Sequence, residues 1–485
     1  MLVVELIGAR TGTKGIMGIP VITVEQMRQW EEASWLAGRR QEEVIAQVGK
    51  LLAQRALELT QPGDAIFILA GKGNNGADAR AAEAHLLERR VMVMKVVEPL
   101  RALGKIQELL GRKPALVVDG LFGIGLNRDL SPDWCAVVDA VNESGCRVLA
   151  VDTPSGLDAQ TGEVRGAAVK ANWTIALGAP KTGLLESKVA GHVGRLEVIT
   201  DIGLIDCKLE GELEWLGKTE FAGFPPPRPI NGHKGTFGHV AILGGSVGYH
   251  GAAVLAARAA QRAMPGLVTL CVPEAVYVPV ASQLQSVMVH PWRTGWALPA
   301  STSAVVMGPG LMAEGVPAEL KQMAIKLWRS AHLPVIADAS ALDWLPAGPV
   351  EGEGLRVITP HPGEATRMLG WTTGQVQGRR LEVLKELSAR WGRTWVVLKG
   401  RHSLIGRAAG RVMVNSSGNP GLAQGGSGDV LAGYLGGLLA QPRLQADAAK
   451  TIAYGVWQHG AAADALAEKQ RVWNIEQLLG WVGTI

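Results

Sequence analysis

Five residues near the C-terminal end, Gly425-Gly-Ser-Gly-Asp429, bring together types that suit phosphate chemistry. Glycines at 425, 426 and 428 let consecutive backbone N–H groups turn towards an anion, and the apolar run from Val430 predicts a helix whose positive dipole end adds to the attraction. Asp429 falls on the first turn of that helix. A carboxylate beside a bound phosphate is repelled, so it has a use there if it takes a proton from a substrate hydroxyl. The plainer reading is a glycine turn whose aspartate caps the helix. Three glycines exceed what a cap needs, and the segment is read as an anion cradle holding a base.

The first half carries a second set. Gly71-Lys-Gly-Asn-Asn-Gly76 follows an apolar run and fits the G-x-G-x-x-G turn that holds a pyrophosphate, with Glu98 about 20 residues on, where a dinucleotide fold keeps a ribose acid. Asn74, Asn75 and Asp78, however, put two amides and an acid where a pyrophosphate needs clearance. Their side chains look placed to coordinate something. Asp119 and Asp152 each end a predicted strand before a turn, in Asp119-Gly-Leu-Phe-Gly-Ile-Gly-Leu-Asn-Arg128 and Asp152-Thr-Pro-Ser-Gly-Leu-Asp158. In an open parallel sheet, ligands bind outside the carboxyl ends of the strands. Asn75, Asp119 and Ser155 would offer there only oxygen donors with one charge, which suits a weakly held monovalent cation better than zinc or iron. The competing reading is that each aspartate caps the loop after its strand.

Other segments of the second half repeat this edge chemistry. Lys399-Gly-Arg-His-Ser403 supplies a turn with a lysine and a hydroxyl, suited to the phosphates or ribose of a nucleotide. Gly308-Pro-Gly310 and Thr359-Pro-His-Pro-Gly-Glu364 end strands in rigid loops, and the flanking prolines hold His361 in an extended segment. For His361 a structural role and a substrate contact are both open. The small residues after Tyr249 let a helix lie close to the sheet or to a flat ligand, and close packing explains them equally well.

The elements that must position these residues read as two α/β series. Apolar runs bounded by glycine turns alternate with helical patterns, as buried parallel strands and crossover helices do. Strands are expected over 65–70, 91–97, 115–119, 147–152, 173–178 and 195–199, and after a proline-rich break over 239–244, 267–272, 303–307, 334–338, 356–359, 395–399, 403–406 and 411–415. Helices are expected over 251–263, 429–440 and 446–467. The expected division is a domain at 17–218, a stiff extended linker at 219–230 and a domain at 231–485. A chain of 485 residues is long enough for such a division.

Composition narrows the partners. With 48 basic and 44 acidic residues the net charge is +4, and the arginine pairs at 39/40, 89/90 and 379/380 are scattered without aromatic interleaving, which argues against nucleic acid. The four cysteines form no C-x-x-C pair, so a reduced, cytoplasmic setting is expected. No membrane-spanning run is present, the N-terminus is too short and acidic for a signal peptide, and Met17 is an alternative start.

Together these motifs carry a resemblance. Gly73-Asn-Asn-Gly-Ala-Asp78, Asp119-Gly-Leu-Phe-Gly-Ile-Gly-Leu126 and Val151-Asp-Thr-Pro-Ser-Gly-Leu-Asp158 resemble the epimerase half of the bifunctional NAD(P)H-hydrate repair enzymes. Thr359-Pro-His-Pro-Gly-Glu364, Leu398-Lys-Gly400 and Gly418-Asn-Pro-Gly-Leu-Ala-Gln-Gly-Gly-Ser-Gly-Asp429 resemble their ADP- or ATP-dependent dehydratase half. The resemblance covers nearly the whole chain after Val21. It implies a Rossmann-like three-layer domain that interconverts the R and S forms of NADHX and NADPHX, cofactors with water added across a nicotinamide-ring double bond. It implies next a ribokinase-like domain that uses ADP, with Mg²⁺, to dehydrate the S form.

The resemblance also implies residues. It maps K⁺ onto Asn75, Asp119 and Ser155. Hydrate contacts of the epimerase fall on Asn74, Asn75, Gly76, Ala77, Asp78, Gly123, Ile124, Gly125, Leu126, Asn127, Arg128, Asp129 and Asp152. In the dehydratase they fall on Ala252, Gly310, His361 and Asp429, with the nucleotide on Lys399, Gly400, Arg401, His402, Ser403, Gly425, Gly426, Ser427 and Gly428. Asp429 and Asp152 are the implied catalytic residues. The chain departs from the family pattern at Ala77 and Ala79, where glycines are usual, and at Met312, Ser340 and Gln424. An alanine at a position needing positive φ would cost about 1 kcal/mol. Two rivals are a ribokinase-like kinase of a small vitamin-precursor alcohol, and a first half serving only as a non-catalytic binding module. Residue types do not separate ADP from ATP, and a symmetric homo-oligomer is expected.

Overall fold

The structure is a computed structural model that describes residues 18–311 and 315–485; the reading of the N-terminus and the departure at Met312 lie outside the described residues. The described chain is divided between two compact units, Ile19–Glu212 and Leu213–Ile485, with Gly18 counted in the second.

In the first unit β1 (Ala65–Ala70), β2 (Arg90–Lys95), β3 (Leu116–Gly120), β4 (Val148–Val151), β5 (Trp173–Leu177) and β6 (Arg195–Ile199) form a six-stranded sheet in the order β2-β1-β3-β4-β5-β6. Every neighbouring pair is parallel. Successive side chains alternate between faces. Ile66 and Ile68 face α1 (Val24–Leu36), α2 (Gln41–Glu58) and α3 (Asn74–Ala81), whereas Phe67 and Leu69 face α4 (Pro99–Gly111) and α5 (Pro132–Glu143). Burial on both sides explains why β1 reads as an unbroken apolar run. The strand order reverses between β1 and β3, so their carboxyl ends flank a crevice.

The second unit orders β7 (Leu213–Leu216), β8 (His239–Leu243), β9 (Leu267–Pro273), β10 (Met288–Trp292), β11 (Ala304–Met307), β12 (Val335–Ala337), β13 (Arg356–Ile358), β14 (Trp395–Leu398), β15 (Leu404–Gly406) and β16 (Val412–Asn415) as β7-β16-β15-β14-β13-β12-β11-β8-β9-β10. The run from β14 through β13, β12, β11, β8 and β9 to β10 is parallel, and β15 is antiparallel to both its neighbours. The crevice of this sheet lies between β8 and β11. Around it pack α6 (His250–Arg262), α7 (Ala318–Ser330), α8 (Pro362–Leu369), α9 (Arg380–Arg390), α10 (Ser427–Leu439), α11 (Ala448–Lys469) and α12 (Ile475–Trp481). The small residues of α6 serve helix packing: a Cβ on Gly433 of α10 would meet the Ala256 carbonyl oxygen at 2.0 Å.

Three features differ from expectation. β7 and β10 are strands that periodicity missed. β7 pairs with β16, Leu213 opposite Val412, so the partition falls at Glu212/Leu213, earlier than residue 218. The segment 219–230, expected as a stiff extended linker, is part of the second unit. Phe221 is buried with its ring 5.3 Å from Trp457 and 5.6 Å from Tyr454, and Phe224 lies 5.2 Å from Tyr454. The buried Phe221 ring and the partly buried Phe224 ring hold the segment against α11.

Candidate active sites

The first unit opens a cleft of about 690 Å³ at the carboxyl edge of its sheet, within the range of small-molecule sites. Its wall includes Asn74, Asn75, Asp78, Gly123, Ile124, Gly125, Leu126, Asn127, Arg128 and Asp152. Gly76, Ala77 and Asp129 are not on that wall. On α3 the residues at 74, 75 and 78 share one face, and 76 and 77 turn elsewhere. Ala77 and Ala79 are both helical, so neither replaces a glycine of positive φ. Ala79 fits because Gly120, whose own Cβ would lie 2.5 Å from that methyl, has none.

Asp119 ends β3 fully buried. Its Oδ1 accepts from Ser155 Oγ at 2.6 Å and its Oδ2 from the Ser155 N–H at 2.8 Å. Ser155 Oγ accepts in turn from Phe122 N–H at 2.9 Å, and Asn75 Nδ2 donates to the Phe122 carbonyl at 2.7 Å. Asn75 Oδ1 is buried without a partner. A buried carbonyl oxygen without a donor is costly unless something electropositive meets it. The oxygen-only set around it fits a monovalent cation. Among the described residues no group of three or more His, Cys, Asp or Glu could hold a metal.

Asp152 follows β4 with φ of 61°, a conformation rarely adopted by a non-glycine residue. Its Oδ1 accepts from Lys181 Nζ at 2.6 Å and from the Leu177 N–H at 3.0 Å, and Lys181 is wholly buried. Burial, then the charges of Asp152 and Glu31, pushes the Asp78 carboxyl up to about 8, so Asp78 is largely neutral at pH 7. Motif reading missed Lys181 and Glu31. Lys181 had one signal: it follows Gly178-Ala-Pro at the carboxyl end of β5, the edge where Asp119 and Asp152 were found. Glu98 does not reach the cleft wall; it pairs with Arg101 at 2.9 Å.

In the second unit Gly426, at φ of 97°, ends the turn before α10 and contributes no side-chain cap. Ser427 N–H donates to the Gln424 carbonyl at 3.3 Å, and the N–H groups of Gly428 and Asp429 are left for an anion. Lys399 stands beside them: a Cβ on Gly428 would lie 3.3 Å from Lys399 Nζ and 3.6 Å from Asp338 Oδ2. Lys399 Nζ donates to Asp338 Oδ1 at 2.8 Å and lies 3.7 Å from Glu364 Oε2, while Thr359 Oγ1 donates to Asp338 at 2.6 Å. Burial works against the Lys399 ammonium, but Asp338 and then Glu364 hold its pKa above the usual lysine value. Burial, then Asp338, raises Asp429 to about 7, against the pull of Lys399. That value suits a base at neutral pH. Asp338 and Glu364 were not singled out, though Asp338 ends a predicted strand and Glu364 closes the Thr359–Glu364 motif.

The remaining expected contacts divide. Ala252 and Gly310 meet at the crevice, where a Cβ on Gly310 would lie 3.0 Å from that of Ala252, and Ser246 Oγ donates to the Gly310 carbonyl at 2.7 Å. His361 caps α8, its Nδ1 accepting from Gly363 and Glu364 N–H at 3.0 and 3.3 Å, and its Nε2 lies 3.5 Å from Glu364 Oε1. The turn from Lys399 to Ser403 is tied by Arg380, whose guanidinium donates to the carbonyls of Leu398, Lys399 and Arg401. The His402 ring packs 4.9 Å from Trp215 and lies 3.3 Å from the Asn415 carbonyl; burial pushes its pKa down to about 3. Its ring thus belongs to the packing beneath the turn.

These arrangements define a two-part α/β enzyme, a Rossmann-like unit with an acid–base cleft joined to a ribokinase-like unit with an anion cradle and base. Residues 240–480 match the model of the NAD(P)H-hydrate dehydratase family, and residues 96–183 that of the YjeF-related protein N-terminus. The bifunctional NAD(P)H-hydrate repair enzyme of Coxiella burnetii is 34% identical over 476 residues, covering 92% of this chain and 94% of that protein. That of Escherichia coli is 33% identical over 432 residues, covering 83% and 81%. The chain belongs to the family of bifunctional NAD(P)H-hydrate repair enzymes. A Bacillus subtilis ADP/ATP-dependent NAD(P)H-hydrate dehydratase, crystallised with ATP and Mg²⁺, shares 31% identity, covering 54% of this chain and 94% of that one with a TM-score of 0.48. Among the described residues no helix is long and apolar enough to cross a membrane.

Proposed function

We propose that the first unit interconverts the R and S forms of NADHX and NADPHX, and that the second dehydrates the S form with ADP, releasing AMP and phosphate. The observation that carries this reading is Asp429, poised at about 7 on the first turn of α10, beside the glycine cradle and the Lys399–Asp338 pair.

In the second unit Asp429 takes the proton of the ring hydroxyl as that oxygen attacks the terminal phosphate of ADP. The backbone of Gly425 to Gly428, the helix dipole and Lys399 stabilise the charge on the phosphoryl group in flight. The phosphorylated hydrate then expels phosphate under the push of the ring nitrogen, and the nicotinamide double bond returns. Ala252, Gly310 and His361 Nε2 are assigned to the hydrate, and the turn from Lys399 to Ser403 to the nucleotide. Mg²⁺ brought with ADP screens its phosphates, and Asp338 and Glu364 are the carboxylates able to hold such a hard cation in company with those phosphates.

In the first unit neutral Asp78 gives a proton to the departing hydroxyl. The Asp152 carboxylate, fixed by Lys181 and the Leu177 N–H, faces the positive charge that develops on the ring. Asn75, Asp119, Ser155 and the Phe122 carbonyl are the residues that would hold K⁺, which supplies a fixed positive charge near the substrate's anionic portion. The working form is taken to be a cytoplasmic homo-oligomer, with size-exclusion mass measurement as its check.

Product analysis tests the reading. With the S hydrate, Mg²⁺ and ADP, phosphate and AMP should appear in step with reduced-nicotinamide absorbance. A stable phosphorylated product without that absorbance would instead mark a small-molecule kinase.

A further inference from the structure

Glu31 belongs to none of the motifs, yet it lines the first unit's cleft together with Asp78 and Asp152. Helix α1 brings it there. Thr23 starts that helix with a capping box, and Met27, Arg28 and Glu31 share the face turned to the cleft. Three carboxyls therefore reach one cavity from three elements: α1, α3 and the turn after β4.

The chemistry of epimerisation needs more than one of them. Water added to an enamine sits on the carbon beside the ring nitrogen, and the R and S forms differ in hand at that carbon. To change hand, the hydroxyl must leave from one face and return to the other. On departure the C–O bond breaks with its electron pair going to oxygen, the nitrogen lone pair closes a C=N bond, and an acid supplies the proton that makes the leaving group water. On return a water oxygen forms a C–O bond on the opposite face, the C=N pair goes back to nitrogen, and the surplus proton passes to a carboxylate. A single carboxyl cannot flank both faces of a flat ring.

Asp152 is poorly suited to be the second group. Lys181 and the Leu177 N–H already hold its Oδ1.

We propose that Glu31 is a further catalytic residue of the epimerase half, the proton acceptor on one face of the ring when Asp78 is the donor on the other, with the roles exchanged in the reverse direction. This rests on the epimerase reading above. Asp78 and Glu31 share one proton, so the step balances, and the pair is reset through solvent. The surroundings agree with a shared proton. Burial and then Asp152 raise the Glu31 pKa, while Lys181 and Arg28 lower it, and Asp78 feels both Asp152 and Glu31. Lys72 and Arg128 are the other basic residues on the cleft wall.

The experiment uses the full chain carrying Glu31→Gln. Exchange between R and S NADHX is followed without ADP, and dehydration of the S form with ADP serves as the internal control. The expected result is a fall in the kcat of exchange of about a hundredfold, the lower end of what acid–base groups contribute, with KM within about twofold and dehydration unchanged. Glu31→Asp, which keeps the carboxyl, should recover a measurable part of the loss and retain a pH-dependent rate that Glu31→Gln has lost. Exchange within about twofold of the unaltered protein in Glu31→Gln, or a change confined to KM, overturns the assignment. If Glu31→Gln misfolds, Glu31→Ala decides: exchange within about twofold of the unaltered protein there also overturns it. No exchange by the unaltered protein overturns the epimerase reading itself, and this assignment with it.

Discussion

The two units both place acids and a lysine at the carboxyl edge of a doubly wound sheet, yet the backbone beside those acids differs. In the first, Asp78, Asp152 and Glu31 share one cleft with Lys181 as a buried counter-charge to Asp152, and burial, then Asp152 and Glu31, raises Asp78 to about 8. In the second, Asp429, Asp338 and Glu364 stand around Lys399, and a glycine turn and a helix N-terminus beside them supply donors for an anion; burial, then Asp338, raises Asp429 to about 7. A unit that moves only protons can be built from acids. One that moves a phosphoryl group needs backbone donors and a cation beside its acids as well.

The sharpest break between the units comes from removing one carboxyl at a time. Asp429→Ala should lower dehydration about 10³-fold, within the range for general-base loss, while nucleotide binding measured by calorimetry and the epimer exchange rate stay near normal. Asp152→Ala should do the reverse, and full exchange in that variant would show that its charge is not needed. Next in size is Lys181→Met, which strands Asp152 as a buried charge. It should destabilise the first unit by about 3–5 kcal/mol in denaturant unfolding and abolish exchange, with the second unit's transition unmoved. The opposed roles of Asp429 and Asp78, base and acid, also predict opposed pH limbs. Dehydration should rise with pH through about 7, as Asp429 loses the proton it must lack. Exchange should fall above about 8, as Asp78 loses the proton it must give. Parallel profiles would remove the contrast. The smallest effect is Ala77→Gly: restoring the family's glycine inside α3 should cost up to about 1 kcal/mol and leave exchange within about twofold, because the position is helical.

The same contrast explains what was legible in the sequence. The fold came from continuous apolar runs, which buried parallel strands impose, and the α/β class with its two halves followed. β7, four residues long, carries too little pattern to be seen, and it moved the partition to Leu213. The glycine cradle was readable because turns that bind anions constrain backbone, and backbone constraints leave glycines in fixed spacing. Acid–base partners leave no such trace. Glu31 reaches the first cleft from an early helix and Lys181 reaches Asp152 from a loop after β5, and only the folded sheet brings them to the two aspartates. Asp338 stood at a predicted strand end, but nothing local distinguished it from an aspartate capping its loop; its pairing with Lys399 joins β12 to β14 across the strand between them.

The central claim is that one chain carries both activities. Its most direct test mixes the full-length protein with an R/S mixture of hydrated NADH, Mg²⁺ and ADP, and follows reduced-nicotinamide absorbance to completion. The account predicts recovery of the whole hydrate, a fast phase for the S share followed by a slower one set by epimer exchange. Recovery that stops at the S share would contradict an active first unit, and no recovery with ADP or with ATP would contradict the dehydratase.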